Sequence, residues 1–442
     1  MNGRGEERPI LGLRANLGQF LVQMVQVFFV GVTIGLERTV VPVLAKEEFG
    51  IASASVILTF IVSFGFVKAL LNLYGGSISD RWGRRRVLIL GWVAAIPIPL
   101  IIIYAPAWEW IALGNVLLGV NQGLAWSMTV TSKIDITKPE EYGIATGFNE
   151  FSGYTGVAFG ALVTGFIAAA YSPRPHPFYL GLAVILVALV TAVAMVKETR
   201  GFALSESTES EVEDRGLDRA PGFLSIFKWV SWKDPAMFAA CQAGSIEKFV
   251  DTLVWVSFPI YFLSQGLTVA EIGIIVSVYG FTWGVLQLVT GPLSDRIGRK
   301  RPIAVGMWVC ALGVVLTIST RGIINWVLAA AITGGGMAML YPALIAAVGD
   351  VSQPKWRGTS LGVYRLWRDA GYGFGAISIG LVSDFVAFEW GFYLTALLMV
   401  TSGGIVAIRM YETHPGVRAR HGTTKTDRKG KEVIDRPSSR IS

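Results

Sequence analysis

The chain has 442 residues, of which 52% are hydrophobic and 16% are charged, and its formal net charge is +7. Soluble domains carry about 25% charged residues, so this composition excludes a disordered or nucleic-acid-binding chain and argues against an ordinary soluble enzyme. A mean hydropathy of +0.54 and 51 glycines indicate a membrane protein of many spans, because glycine is more frequent in membrane helices than in soluble ones.

Apolar runs of about 20 residues predict an all-α membrane protein with twelve transmembrane helices. The predicted helices, numbered 1 to 12, are 17–45, 51–74, 87–106, 109–134, 142–170, 177–196, 236–264, 269–291, 302–320, 323–349, 357–387 and 389–411. The first run is too long for a signal peptide and lacks a small-residue cleavage site, so we expect it to remain as helix 1.

This pattern divides the chain into two bundles of six helices with polar segments around them. The predicted domains are an N-terminal tail 1–16, a bundle 17–196, a linker 197–235, a second bundle 236–411 and a tail 412–442. We expect the linker, with its acidic stretch 206–218, to be a flexible cytoplasmic hinge. The basic, Ser/Thr-rich tail is typical of a disordered segment.

The distribution of lysine and arginine predicts the orientation in the membrane. Thirty of the 38 basic residues fall in the tails and in the loops on the N-terminal side, and only Lys46, Arg174 and Arg321 fall in loops on the other side. Because cytoplasmic loops carry the excess of positive charge, both termini are predicted to be cytoplasmic. The net charge is therefore a signal of topology, with the lipid bilayer as the partner.

A sequence repeat relates the two halves at one fixed offset, which pairs Gly76 with Gly291. The segment 76–86, GSISDRWGRRR, matches the segment 291–301, GPLSDRIGRKR. The same offset pairs glycines, aspartates and prolines over a longer stretch, for example Asp135 with Asp350 and Gly160 with Gly375. A repeat of this kind predicts two pseudo-symmetric bundles related by an axis along the membrane normal, with the substrate path between them.

The repeated loop Gly-x-x-x-Asp-Arg-x-Gly-Arg-Arg/Lys resembles the signature of the major facilitator superfamily. The resemblance extends from about residue 17 to 411, since helix number, repeat and central linker also agree. It implies a secondary transporter that works by alternating access, in which these loops act as gates. The gate residues it implies are Gly76, Asp80, Arg81, Gly83, Arg84, Arg85, Gly291, Asp295, Arg296, Gly298, Arg299 and Lys300. Membrane topology alone would explain the arginines, but not the aspartate and glycines at fixed spacing.

Ten ionisable residues lie well within the predicted helices, away from their ends, and each costs several kcal/mol if it faces lipid. The acids are Glu37, Glu150, Glu247, Asp251 and Asp369, and the bases are Arg38, Lys68, Lys248, Arg365 and Arg368. The three histidines, His176, His414 and His421, fall in polar loops or the tail. Any proton coupling is therefore predicted to use these five carboxylates.

Glu247 and Asp251 are four positions apart on helix 7, so both carboxylates lie on one helix face. Two carboxylates close together at low dielectric do not both ionise cheaply, and we expect the pair to share a proton. The alternative is that Lys248 or another helix neutralises them.

Helix 11 provides candidates for a substrate anion. We expect Arg365 and Asp369, at i and i+4, to pair with each other and to leave Arg368 free for a carboxylate or phosphate. The alternative is a salt bridge between this helix and Glu150. Lys68, near the end of helix 2, is interpreted as structural.

Helix 1 carries Glu37 at a position that is similar to one where many family members place a functional acid. The alternative is that Glu37 extends to the membrane interface. The candidate substrate-cavity residues are Arg38, Asn121, Gln122, Trp126, Arg365 and Arg368. Helix 4 has Asn115 where many proton-coupled members have an arginine, which weakens an assignment as a multidrug antiporter.

The leading functional hypothesis is a transporter that exports a small organic solute in exchange for protons. The alternative within the family is uptake of an organic anion, and the alternative of another class is a non-transporting receptor. No Ser/His/Asp constellation, membrane histidine cluster or Walker A motif occurs, and Cys241 and Cys310 lie in apolar runs. We therefore predict that the protein is not an enzyme and holds no metal or cofactor. We also predict that it is a monomer in the cell membrane.

Overall fold

The computed structural model describes residues 10–138, 141–202, 222–352, 356–421, 425–426 and 432–433. The first half contains helices α1 (Leu17–Glu47), α2 (Ala54–Ile57 and Thr59–Trp82), α3 (Arg84–Ala95 and Pro97–Tyr104), α4 (Trp108–Asn121, a π-helical turn Gln122–Trp126, and Ser127–Ile136), α5 (Tyr142–Ala170) and α6 (His176–Met195). These helices lie at the predicted positions, and several extend beyond the predicted ends because the polar ends of the helices remain helical outside the apolar run.

The second half repeats this organisation. It contains α7 (Pro235–Thr252, a π-helical turn Leu253–Ser257, and Phe258–Ser264), α8 (Val269–Ile297), α9 (Lys300–Ser319), α10 (Ile323–Val351), α11 (Arg357–Phe385) and α12 (Trp390–Arg409). A short helix Pro415–His421 and a pair of two-residue strands, Lys425–Thr426 and Glu432–Val433, follow. We call the side of the membrane where α1 begins and α12 ends the terminal side.

Nine helices in the described residues are long and apolar enough to cross a membrane. The segments outside this group are α4, α7 and α11, which occupy the predicted positions of helices 4, 7 and 11. The π-helical turns divide α4 and α7 into shorter pieces, and α11 carries Arg365, Arg368 and Asp369 in its middle. Polar residues and irregular backbone at membrane depth normally face protein or a cavity, which directs attention to these three helices.

The linker differs from the prediction of a wholly polar hinge. A helix over residues 223–233, which we call the linker helix, precedes α7. It buries Ile226 and Trp229, and its Ser231 hydroxyl accepts a hydrogen bond from the Trp367 indole of α11 at 2.9 Å. This burial of apolar surface explains why the segment is helical. The acidic stretch 206–218 lies outside the described residues.

Close helix contacts reproduce the sequence repeat in three dimensions. Gly156 of α5 contacts the Phe28 carbonyl of α1, and its repeat equivalent Gly371 of α11 contacts the Ser245 carbonyl of α7. A side chain at either glycine would overlap this backbone, so glycine allows the helices to approach closely. The two halves then meet where α5 packs on α8 and where α2 packs on α11.

Candidate functional site

A small cavity lies between the two halves, at the level of the ionisable residues. Its volume is about 20 Å³, which holds about one water molecule and is too small for an organic solute. The lining residues are Ile34, Arg38, Lys68, Asn72, Trp126, Ser127, Tyr154, Val157, Tyr341, Arg365, Arg368, Asp369 and Tyr372. Both halves contribute to it, so a solute can enter only after the halves move apart.

Asp251 of α7 connects the two halves beside this cavity. The Arg38 guanidinium of α1 is 2.6 Å from its carboxylate, and both side chains are at most 1% exposed. The hydroxyls of Tyr279 and Tyr372 donate further hydrogen bonds to the same carboxylate. Asp251 is therefore a fully ion-paired and hydrogen-bonded group that joins α1 to the second half.

Lys248 separates the two carboxylates of α7. Its ammonium lies 3.1 Å from Glu247 and 3.4 Å from Asp251, and Glu247 also accepts from the Arg368 guanidinium at 3.4 Å. Each carboxylate thus has its own cations. The structure favours the alternative to a shared proton, because Lys248 together with Arg38 and Arg368 supplies cations for both carboxylates.

The predicted pairing within α11 is also wrong. Asp369 contacts the neighbouring Arg368 at 3.2 Å and accepts a hydrogen bond from the Asn72 amide of α2. Arg365 has no ion pair among the described residues, although it lines the cavity. The i, i+4 spacing allowed a contact between Arg365 and Asp369, but the partners from α2 and α7 decide which arginine is paired.

Lys68 lines the cavity and is not the peripheral structural residue that the sequence suggested. Its side chain is buried, and its ammonium lies 5.4 Å from the ring centre of Phe64, 5.7 Å from that of Trp126 and 5.5 Å from that of Tyr372. No carboxylate in the described part of the chain lies within ion-pair distance of it. Helix α2 continues to Trp82, so Lys68 lies deeper than its position in the apolar run suggested.

Two predicted cavity residues belong to the interior of the first bundle. The Asn121 amide donates to the Gly91 carbonyl at 3.0 Å, and the Gln122 amide donates to the Val30 carbonyl at 2.9 Å. Trp126 is the last residue of the π-helical turn Gln122–Trp126 of α4, and it does line the cavity. The local widening of α4 thus directs one of the three candidates to the cavity and the other two to backbone carbonyls.

The remaining acids, Glu37 and Glu150, have no ion pair among the described residues. Glu150 accepts hydrogen bonds from the Trp126 indole and the Asn149 amide, each at 3.0 Å, and the salt bridge considered between it and α11 is absent among the described residues. Glu37 is only 2% exposed and contacts the Asn115 side chain of α4. It therefore points into the bundle and does not extend to the membrane interface.

Sequence reasoning missed the aromatic wall of the cavity. Tyr154 of α5 stacks on Trp283 of α8 across the interface, with ring centres 3.7 Å apart, and it also contacts Trp126 and Tyr341. The sequence repeat could have predicted part of this wall, because its offset of 215 residues maps the cavity candidate Trp126 onto Tyr341. In the described residues no group of three or more His, Cys, Asp or Glu side chains could hold a metal ion.

The two gate loops, 76–86 and 291–301, form equivalent clusters on the terminal side. Arg84 pairs with Asp80 at 2.5 Å and with Asp135 at 3.1 Å. In the second loop Arg299 pairs with Asp295 at 2.6 Å and with Asp350 at 3.1 Å.

A glycine and a glutamate complete each gate-loop cluster. Gly83 has φ 90° and Gly298 has φ 95°, and a Cβ at either position would overlap the carboxylate of Glu198 or Glu412 that accepts the next backbone N–H. Glycine is therefore required at both turns.

We expect Asp80→Asn and Asp295→Asn each to slow transport roughly fivefold, since each removes an exposed ion pair that contributes about 1 kcal/mol or less. Asp80→Asn should have the larger effect, because the first cluster is more buried than the second. Its Asp135 side chain is 7% exposed, whereas the equivalent Asp350 of the second cluster is 18% exposed. Flux into proteoliposomes, at equal amounts of inserted protein, measures this. Normal rates in both variants would exclude a gating role for the two aspartates.

A contact between α2 and α11 joins the two halves on the opposite side of the membrane. The Asp384 carboxylate of α11 accepts hydrogen bonds from the Ala54 N–H at 2.6 Å and the Ser55 N–H at 3.0 Å, and from the hydroxyls of Ser53 and Ser55. It therefore caps the first turn of α2, where unpaired N–H groups and the helix dipole favour an anion.

Replacing Asp384 with alanine should shift the protein towards a state that is open on this side. The loss of about 1 kcal/mol changes the population roughly fivefold. A cysteine introduced at Val157, which lines the cavity, should then react faster with a membrane-impermeant maleimide added on this side. The native Cys241 and Cys310 are buried, and labelling of the protein that carries only these two cysteines gives the background rate. Unchanged labelling would show that Asp384 does not hold this side closed.

The sequence matches the model of the Major Facilitator Superfamily over residues 24–246 and 243–437. The chain belongs to the major facilitator superfamily. The protein is thus a transporter of this superfamily and a multi-pass membrane protein. The resemblance recognised in the sequence is confirmed by this match.

Relatives within the superfamily include proteins named for drug resistance. The chain is 22% identical over 391 residues to Multidrug resistance protein 2 of Bacillus subtilis, covering 88% of this chain and 94% of that protein. It is 24% identical over 324 residues to the class B tetracycline resistance protein of Escherichia coli, covering 70% and 75%. An uncharacterized MFS-type transporter of Salmonella typhimurium is 21% identical over 389 residues, covering 85% and 92%.

Solved structures of the superfamily share the fold. A crystal structure of a D-xylose–proton symporter superposes with a TM-score of 0.71 at 15% identity, covering 90% of this chain and 98% of that one. A partially occluded inward-open structure of the xylose transporter of E. coli gives a TM-score of 0.71 at 12% identity, with the same coverage. At this identity the likeness concerns the fold alone, and it confirms the predicted architecture of two helical bundles.

Proposed function

We propose that this transporter exports a small organic solute in exchange for protons, by alternating access through the central cavity. The relatives named for multidrug and tetracycline resistance support export. The 30 basic residues of the tails and loops on the terminal side, against three on the other, support a cytoplasmic location of both termini and of the gate loops.

The proposal of proton coupling rests on the environment of Glu37. Its carboxyl is 2% exposed, one of its oxygens has no hydrogen-bond partner, and no cation of the described residues lies within ion-pair distance. An unpaired carboxylate at this depth costs several kcal/mol, so the group is neutral in this closed state and holds a proton. Glu247, Asp251 and Asp369 are ion-paired instead. Glu150 has one oxygen without a partner as well, but its other oxygen accepts hydrogen bonds from Trp126 and Asn149.

Glu37 is also placed to influence the contact between the halves. It immediately precedes Arg38, whose pairing with Asp251 joins α1 to α7. Release of the proton would put a second negative charge next to this cross-half ion pair. Loss of a proton and rearrangement of α1 against the second half are thereby linked, which is what coupled alternating access needs.

Uptake of an organic anion is the second candidate, because four cations line the cavity. The two functions differ in the direction of proton movement. The purified protein would be reconstituted in vesicles that contain a pH-sensitive dye, with tetracycline, benzoate, salicylate and phthalate as the added solutes. Export by exchange predicts that a transported solute moves against the protons. Proton movement in the same direction as the solute, or solute flux without any proton movement, would contradict the proposal.

A further inference from the structure

The wall of the central cavity carries an unbalanced positive charge. Among its lining residues are four cations, Arg38, Lys68, Arg365 and Arg368, and one acid, Asp369. Arg38 and Arg368 have carboxylate partners in Asp251, Glu247 and Asp369. Lys68 and Arg365, which we call the cationic pair, have no carboxylate within ion-pair distance among the described residues, although Asp369 attracts both electrostatically.

Including the carboxylates behind the wall does not restore the balance. The cavity, the ion pairs that adjoin it and Glu150, which accepts a hydrogen bond from the lining Trp126, contain four acids, Glu150, Glu247, Asp251 and Asp369. They contain five bases, which are Arg38, Lys68, Lys248, Arg365 and Arg368. Ionisable groups inside a membrane are normally paired, so the excess of one positive charge indicates a counter-charge that the described residues do not supply.

Lys68 is surrounded by aromatic rings and has no carboxylate within ion-pair distance among the described residues. Its side chain is 7% exposed, and three aromatic faces surround the ammonium at 5.4 to 5.7 Å. Cation–π contacts of this kind contribute about 0.5–2 kcal/mol, which is less than the cost of burying a charge without a counter-ion. An ammonium that points into a cavity under these conditions is a binding group for an anion.

Arg365 supplies the geometry that a lysine lacks. An arginine guanidinium is planar and can donate two parallel hydrogen bonds to one carboxylate. Arg365 belongs to α11 of the second half, whereas Lys68 belongs to α2 of the first half. An anion that contacts both would therefore bind to both bundles at once.

We propose that the transported solute is an organic anion with an aromatic body, whose carboxylate lies between Lys68 and Arg365 and whose ring packs on Trp126 and Tyr154. This deepens the proposed function, since it rests on the central cavity being the transport site. The empty cavity holds about one water molecule, so the solute enters an opened form. Its charge then draws the two halves together around it, because each half provides one of the cations.

Binding is tested with three aromatic carboxylates and their neutral analogues of the same shape. Benzoate, salicylate and phthalate are added to the purified full-length protein in detergent, each beside the corresponding amide, and thermal unfolding is followed at each concentration. We expect at least one carboxylate to stabilise the protein at concentrations roughly tenfold or more below its amide, as two charge-assisted hydrogen bonds predict. Equal effects of all acids and amides would overturn the inference.

Variants assign the effect to the cationic pair. Lys68→Gln and Arg365→Gln should each weaken binding of the carboxylate about tenfold and leave binding of the amide unchanged. Lys68→Arg keeps the charge and should retain most of the preference. Lys46→Gln, which removes a lysine hydrogen-bonded to the Ala52 carbonyl far from the cavity, is the matched control for loss of one positive charge.

The ratio of acid to amide binding separates recognition from a structural role. If the cationic pair only supported the fold, Lys68→Gln would lower thermal stability but keep the ratio, and the inference would be wrong. Failure of the proposed function has a different result, namely a carboxylate that binds with the expected preference but moves without protons in the vesicle assay.

Discussion

Asp251→Asn is expected to lower the stability of the folded protein more than any other single change in the cavity region. The substitution leaves the buried Arg38 and Lys248 without the carboxylate that both contact. Removing one partner of a buried ion pair costs about 3–5 kcal/mol, a large part of the total stability of a protein. The amount of folded protein extracted from membranes and its midpoint of thermal unfolding in detergent measure the effect.

A second variant distinguishes loss of charge balance from a simple loss of contacts. Arg38→Gln combined with Asp251→Asn removes the cation and the anion together, and we expect it to recover at least half of the lost stability. Asp251→Asn with the thermal midpoint of the unmodified protein would contradict the ion-pair network. The sequence alone suggested that Glu247 and Asp251 share a proton, which a double variant that neutralises both carboxylates would remove. With Lys248 and both arginines paired to them, we expect that double variant to fold poorly.

Glu37→Gln is expected to abolish the response to a pH gradient while the protein still exchanges solute. Glutamine preserves the shape and the contact with Asn115 but cannot release a proton. Gradient-driven flux should fall roughly tenfold or more, because the energy of the gradient no longer reaches the transport cycle. Exchange of labelled for unlabelled solute without a gradient should stay within about twofold of the unmodified rate.

Glu150→Gln is the matched control, since Glu150 is also a buried carboxylate of the first half with one unpartnered oxygen, but its other oxygen accepts hydrogen bonds from Trp126 and Asn149. It should retain most of the gradient-driven flux. If Glu37→Gln kept full gradient-driven transport, the proton site would lie elsewhere, and the ion-paired acids of the central network would become the candidates.

The repeat explains how a symmetric scaffold holds an asymmetric site. Its offset maps Lys68 onto Trp283, Trp126 onto Tyr341 and Glu150 onto Arg365. The two halves therefore place side chains at equivalent positions, but the first supplies a cation where the second supplies an aromatic ring. The gate loops, in contrast, keep both geometry and chemistry in the two halves. The two loops are therefore expected to have the same task in each half.

The fold, the repeat and the gate loops of this protein could all be predicted from the amino-acid sequence. Long apolar runs predict membrane helices because the bilayer leaves few alternatives for the backbone. The gate loops were recognisable because glycine, aspartate and arginine interact there over a short stretch of chain. Arg84 and Asp80, for instance, are only four residues apart in the chain and form an ion pair.

The partners of the buried charges, in contrast, depend on how the helices pack. Helical periodicity shows that Glu247 and Asp251 share a face, but it does not show which helices pack against that face. Arg38 of the first half reaches Asp251 of the second, and Asn72 takes the place at Asp369 that Arg365 was predicted to fill. The π-helical turn of α4 likewise turned Asn121 and Gln122 away from the cavity. Pairing of charges depends on the rotation and depth of each helix against its neighbours, and these are set by packing between distant segments.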